Sequence, residues 1–360
     1  MTNQKAVPSY NILINPRDLR ALRDDIWCDD PVPAKLVFEK RQYNIDIAYR
    51  GAHIRKFKKK SYHITFQRSF LGVKEIHLNA ELMDKSLLRN KLSLDFFSDI
   101  GNLSPESRHV NLTINGKYQG VYLQLESVDS QFLKRRRLPN GSIFYAEDDD
   151  ANFSLMSPLD NDAKRAFDSG YSRKLGSKRD HHYLSDLVYK INTTTRSEFE
   201  KEIVNYIDTN KYLRWLSGVV CTQNFDGFIH NYALYRRDNT GLFEIIPWDY
   251  DATWGRDING KRMAYDYVPI TGYNTLTARI LDVPSFRKEY RKILSDILDS
   301  QFTVDFQKPK IMAMHDQLRP YVLKDPYISS DIDRFDDEPD FIFDFINKRN
   351  HYLKKHLSGV

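Results

Sequence analysis

Cysteine is scarce in this chain of 360 residues: only Cys28 and Cys221, far apart, with no CxxC and no histidine at zinc-finger spacing. That argues against a zinc module and against a disulfide framework and points to a reducing compartment. No uninterrupted apolar run reaches membrane-spanning length, and residues 1–11 lack the apolar centre of a signal peptide. The expectation is a protein that stays inside the cell that makes it, with no membrane partner. Charge of one sign is also missing, since 54 basic and 49 acidic residues leave a net +5, too even to argue for nucleic acid as a partner. What is present is 41% hydrophobic residues with 22 Tyr and 21 Phe, enough for a substantial core. The chain is too long for one small module, and no flexible linker divides it. We expect an α+β protein of two lobes sharing a cleft: residues 1–150 mainly antiparallel β, and residues 151–360 mainly helical.

In chain order, residues 9–14 alternate like a strand, and residues 16–27 carry Leu19, Leu22 and Ile26 at helical spacing. Residues 34–38 and 43–49 predict a hairpin around a polar turn, with further strands at 61–66 and 75–79. Residues 84–100 are amphipathic, and Glu81, Asp84 and Arg89 at their start read as capping or solvated groups. The stretch 109–126 predicts two strands meeting at Asn115-Gly116, the favoured dipeptide of a tight hairpin. A helix over 129–137 and a strand over 141–146 precede an acidic run, Glu147 to Asp150. Residues 157–182, broken by Pro158, Gly170 and Gly176, read as a surface excursion in which His181 and His182 form no ligand set. Helices are expected at 197–207, 210–222, 276–281, 285–298, 308–323 and 340–357.

The stretch 223–255, QNFDGFIHNYALYRRDNTGLFEIIPWDYDATWG, concentrates the chemistry. Residues 232–236 and 243–246 alternate around the turn Asp238-Asn239-Thr240-Gly241, a hairpin. Asp226 and Asn231 precede its first strand and Asp249 follows its second, so all three belong to one end of the ribbon. Hard divalent ions take carboxylate and amide oxygens, with phosphate and water completing the shell, and Asn231 and Asp249 supply that donor set. Asp226 then remains as a base or orienting group for an attacking hydroxyl. Its five-residue step to Asn231 equals that of the kinase catalytic loop H-R-D-x-x-x-x-N. Each residue alone also reads as a turn cap, with Asp249 and Asp251 in an Asx turn. His230 reads as a support for the loop.

A second polar stretch, RGAHIRKFKKKSY over 50–62, packs Arg50, Arg55, Lys56, Lys58, Lys59 and Lys60 together. A solvated basic turn is its plain reading. Lys60 nonetheless shares parity with Tyr62, Ile64 and Phe66, so it enters the inward face at the mouth of the strand, where a lysine can hold phosphate oxygens.

Four pieces, RGAHIRKFKKKSY, LTINGKYQGVYLQLESVD, NFDGFIHNYALY and IPWDYDATWG, resemble the CotH kinase family of the spore coat protein H type, in order over residues 50–255. The resemblance implies an atypical, two-lobed protein-kinase-like fold that uses ATP and Mg²⁺ (or Mn²⁺) to phosphorylate serine. Ser-rich, basic spore coat proteins are the implied substrates, and the implied location is the mother-cell cytoplasm and then the spore coat. Carried over by position, Asp226 is the catalytic aspartate, Asn231 and Asp249 the metal ligands with Asp251 a second candidate, and Lys60 or else Lys59 the phosphate-binding lysine. Glu126 would lie near the nucleotide. Ordinary kinase signatures depart here: there is no G-x-G-x-x-G, H-R-D, D-F-G or A-P-E, and W-D-Y-D stands in the metal-binding stretch. Phosphate contacts would therefore come from basic side chains, which adds Arg50 and Arg55, and the acid paired with the lysine stays unassigned. Two other functions compete: a structural coat scaffold with a non-catalytic nucleotide site, and a metal-dependent nuclease.

Overall fold

A computed structural model of the protein describes residues 6–360, so the first five residues of the amino-terminal stretch lie outside it. The elements run β1 Ser9–Ile14, α1 Pro16–Asp24, β2 Val32–Phe38, β3 Arg41–Tyr49, β4 Tyr62–Phe70, β5 Val73–Asn79, α2 Arg89–Asp99, β6 Ser107–Ile114 and β7 Lys117–Glu126. They continue with α3 Ser130–Arg135, β8 Gly141–Ala146, β9 Tyr171–Leu175, α4 His181–Thr193, α5 Arg196–Ile203, α6 Thr209–Thr222, β10 Tyr232–Arg237 and β11 Phe243–Pro247. The chain ends with α7 Thr275–Leu281, α8 Pro284–Asp299, α9 Val304–Val322 and α10 Ile332–His356. This is an α+β protein.

Two compact units result, and both are discontinuous in sequence: one holds the described residues through Lys91, Glu106–Ser127 and Pro309–Asp340, the other Leu92–Pro105, Val128–Lys308 and Phe341–Val360. No single cut at residue 150 produces that division.

In the first unit, strands in the order β1-β2-β3-β4-β5-β7-β6 form a closed barrel. Every neighbouring pair is antiparallel except β1 with β6, whose parallel pairing of Tyr10 with Leu112 and Ile12 with Ile114 closes the ring. The interior follows from alternation: Tyr10, Ile12, Ile45, Ile47, Tyr62, Ile64, Phe66, Ile76, Leu78, Val110 and Leu112 all point to one buried cluster. The residues between them face outward. Helix α2 starts at Arg89, five residues after the start expected from its apolar pattern. Asp84 diverts the chain, because its carboxylate accepts from the backbone N–H groups of Ser86 (3.0 Å) and Arg89 (2.9 Å), and Leu87 takes a left-handed φ of 58°. The capping reading of Asp84 holds.

In the second unit a four-stranded sheet runs β11-β10-β8-β9. Strand β9 lies inside the stretch read as a surface excursion, which corrects that reading. Of its residues only Tyr171 is buried, so no apolar alternation marked it. Tyr171 bonds the Tyr232 hydroxyl at 2.6 Å. Strand β8 pairs along its whole length with β10, Tyr232 opposite Ala146 and Arg237 opposite Gly141. Helix α6 packs against α8 and β11 and buries Leu213, Trp215, Leu216, Val219 and Val220, the 3.6-residue spacing seen in the sequence.

Candidate functional site

Helix α6 ends at Gln223, which takes the left-handed conformation at φ 58° and turns the chain out of the helix. The buried Asn224 then accepts the Gly227 N–H on Oδ1 at 3.1 Å. This sets a single 3₁₀ turn, Asp226–Phe228, whose first carbonyl, that of Asp226, accepts from the N–H groups of Ile229 (3.0 Å) and His230 (2.9 Å). Asn274 fixes the far side of the turn, donating Nδ2 to the Phe228 carbonyl at 2.9 Å.

Asn231 follows with φ 58° and leads into β10; across the ribbon, Asp249 has φ 59° and leaves β11. Pairing of Tyr232 with Pro247, and a bond from the Trp248 N–H to the Asn231 carbonyl at 3.1 Å, put Asn231 and Asp249 at the same ribbon end. Left-handed backbone is costly for most residues but tolerated by Asn and Asp, so both positions suit the residue types found there.

Beyond Asp249 the chain is anchored by aromatics. Trp254 is fully buried, donates Nε1 to Ser93 Oγ at 2.9 Å, and donates its backbone N–H to the Thr222 carbonyl at 2.9 Å. Tyr250 is also fully buried, and burial pushes its hydroxyl well above the ordinary range. A Cβ added to Gly227 would stand 2.8 Å from Tyr250 Oη. Gly227 and Tyr250 therefore lock the Asp226 turn onto the 249–251 stretch, leaving Asp226, Asn231, Asp249 and Asp251 all partly exposed beside them. His230 bonds Asp149 through Nδ1 at 3.0 Å, which ties the acidic run after β8 to the same loop. Asn231 and Asp249 thus offer an amide and a carboxylate at one ribbon end, donor types that a hard divalent ion takes.

The basic stretch belongs to the barrel unit, and its members separate there. Arg55 is buried and braces the turn: Nε donates to the Gly51 carbonyl at 2.6 Å, and its guanidinium pairs with Asp29. Arg50 donates to Asn79 Oδ1. Lys60, partly exposed, bonds the Arg55 carbonyl, and burial lowers its pKa. Strand β4 begins only at Tyr62, so Lys60 precedes the strand, and it is Lys59 that turns inward. The Lys59 Nζ donates to the Val121 carbonyl at 2.6 Å and to Asp325 Oδ2 at 3.2 Å, and lies over the Tyr122 ring at 4.8 Å from its centroid. Burial lowers the Lys59 pKa, and Asp325 opposes that shift. Glu126 ends β7, buried, and its Oε2 accepts the Glu106 N–H at 3.0 Å.

Sequence reasoning missed Asp325, Asn224 and Asp149. Asn224 beside Gly227 was open to recognition as an Asx cap. For Asp325, 266 positions from Lys59, no spacing rule applies.

The family described as CotH kinase protein matches residues 47–353. The chain is 57% identical over 360 residues to the "Inner spore coat protein H" of Bacillus subtilis (strain 168), covering 99% of each chain. It is 26% identical over 303 residues to the "Inner spore coat protein H-like protein" of the same organism, covering 84% of this chain and 87% of that one. Among solved structures it shares 10% identity and a TM-score of 0.27 with the Helicobacter pylori proinflammatory kinase CtkA, over 84% of this chain and 94% of that one. With the Shewanella oneidensis MR-1 toxin–antitoxin system HipA, HipB and operator DNA complex the values are 12% and 0.31, over 99% and 73%.

Proposed function

The chain belongs to the CotH kinase protein family, and from that premise we propose that it is an ATP-dependent protein serine/threonine kinase of the spore coat, two-lobed like a protein kinase. The observation that supports the proposal is the β10–β11 register, which brings Asn231 and Asp249 to one ribbon end, together with the packing of the Asp226 turn, through Gly227, against Tyr250. Asp226 accepts the proton of the incoming serine hydroxyl and orients its oxygen. Asn231 and Asp249, with Asp251 as a further oxygen donor, hold Mg²⁺ or Mn²⁺. When bound, that ion neutralises charge on the transferring phosphate. Lys60 and Arg50 are the proposed phosphate contacts, in place of a glycine loop, whereas Arg55, whose guanidinium is held by the Gly51 carbonyl and Asp29, braces the turn.

The substrates proposed are Ser-rich, basic coat proteins, met first in the mother-cell cytoplasm and then in the coat. Incubation with γ-labelled ATP, Mg²⁺ or Mn²⁺ and such a coat protein should label the substrate, and Asp226→Asn should abolish labelling while the far-UV spectrum stays unchanged. Normal labelling by that variant would overturn the role of Asp226.

One observation favours a second reading, a coat scaffold with a non-catalytic nucleotide site: Lys59 is fully buried, with its ammonium already bonded to Val121 and Asp325. That reading expects nucleotide binding without transfer, and coat assembly unharmed by Asp249→Asn.

A further inference from the structure

On the outer face of the barrel, three metal-binding side chains meet on two adjacent strands. His63 of β4 is directly opposite His77 of β5 in the antiparallel register. Glu75 lies two residues before His77, so it emerges on the same face of β5. The inward neighbours Tyr62, Ile64, Ile76 and Leu78 are core residues, which leaves the three outward. The two imidazoles stack with centroids 5.1 Å apart and an interplanar angle of 14°. His63 Nε2 is 3.1 Å and His77 Nε2 is 3.3 Å from the same oxygen, Glu75 Oε1. One ligand atom from each residue lies within 4.8 Å of the others.

The two nitrogen–oxygen separations match those around a small tetrahedral ion. Bonds of about 2.0–2.1 Å at tetrahedral angles put neighbouring ligand atoms about 3.3 Å apart. Ser127 supplies an outer support, donating Oγ to Glu75 Oε1 at 2.9 Å and restraining the carboxylate. Arg50 donates to Asn79 at the end of the same strand. The donor set is two imidazoles and one carboxylate, which selects a borderline ion and not Mg²⁺, whose preference is for oxygen.

We propose that His63, Glu75 and His77 form a binding site for Zn²⁺ or a similar divalent transition-metal ion, with water as the fourth ligand. The ion would cross-link β4 to β5 on the side chains of the barrel, in addition to their backbone ladder. It is distinct from the ion proposed at Asn231 and Asp249, and stands whether or not the chain transfers phosphate.

The test uses the full chain, freed of metal by a chelator and titrated with Co²⁺ and separately with Zn²⁺. One equivalent of Co²⁺ should give the intense visible bands of tetrahedral cobalt, and Zn²⁺ should displace it and raise the melting temperature. His63→Ala should weaken Zn²⁺ binding at least tenfold and remove the bands. Its side chain is 35% exposed on the outer face, so the variant should retain the wild-type circular dichroism. Ser127→Ala should weaken binding about tenfold, within the range for lost outer-shell partners. Asp249→Asn should leave the cobalt spectrum unchanged. Absence of tetrahedral bands in the wild type, or bands and Zn²⁺ affinity unaltered in His63→Ala, would overturn the site.

Discussion

Asp325 Oδ2 receives the Lys59 ammonium at 3.2 Å, with both side chains fully excluded from solvent. The same oxygen accepts the Val121 N–H at 2.9 Å, and Oδ1 accepts the Tyr327 N–H at 2.9 Å, so the carboxylate is satisfied on both sides. A buried pair contributes little net stability, because desolvating two charges offsets their attraction, yet removing one partner strands the other. Asp325→Ala should therefore destabilise the protein by about 3–5 kcal/mol in urea unfolding. Lys59→Met combined with Asp325→Leu should recover most of that loss. Equal destabilisation by the single and the double replacement would show that packing, and not the stranded charge, sets the cost.

Gly227 lies against Tyr250 and Asn224, with an added Cβ at 2.8 Å from Tyr250 Oη and 3.2 Å from Asn224 Nδ2. Gly227→Ala must push the Asp226 turn or Tyr250 aside. A displacement near 1 Å in a reacting group lowers rates by about 100-fold, so phosphate transfer should fall on that order with overall folding preserved. Adding Tyr250→Phe removes the hydroxyl and should return part of the activity. Unchanged transfer by Gly227→Ala would separate this contact from the proposed chemistry.

His109 is buried on β6 with Nε2 at 2.7 Å from the Leu87 carbonyl, and burial pushes its pKa down to about 4. In the unfolded chain a histidine titrates near about 6.5, so between these values the unfolded state binds the extra proton. Stability is then complete above about pH 6.5 and falls as pH drops toward 4. His109→Gln should flatten that part of the stability–pH curve measured by urea midpoint. A curve of unchanged slope in the variant would assign the acid sensitivity elsewhere.

The two thiols should separate in labelling experiments. Cys221 is fully buried on α6, where burial raises its pKa well above the ordinary value, whereas Cys28 is partly exposed. A thiol reagent should titrate one cysteine in the native protein and the second only after denaturation. Rapid reaction of both under native conditions would contradict the burial of α6.

Local chemistry made much of the fold legible. Period-two alternation located β2, β3, β6 and β7, Asn115-Gly116 marked the β6–β7 turn, 3.6-residue spacing located α6, and Pro284-Ser285 marked the start of α8. Strand β9 was hidden because, apart from Tyr171, its residues are exposed or half-buried, and α10 begins at Ile332, ahead of the expected 340, through a polar turn that contains Pro339. The closing β1–β6 pair is parallel and long-range, and no short-range signal encodes such a contact.

At the candidate site the sequence by itself determined that Asn231 and Asp249 share a ribbon end, because an antiparallel hairpin leaves no other arrangement for residues flanking its two strands. Only the tertiary structure decided that Gly227 and Tyr250 hold the Asp226 turn there, that Lys59 and not Lys60 is buried, and that Asp325 is its partner. Each of those depends on where a side chain finds room and a counter-charge once distant segments pack. Alternation along a strand is a property of neighbouring residues, and a buried ion pair is a property of the whole unit around it.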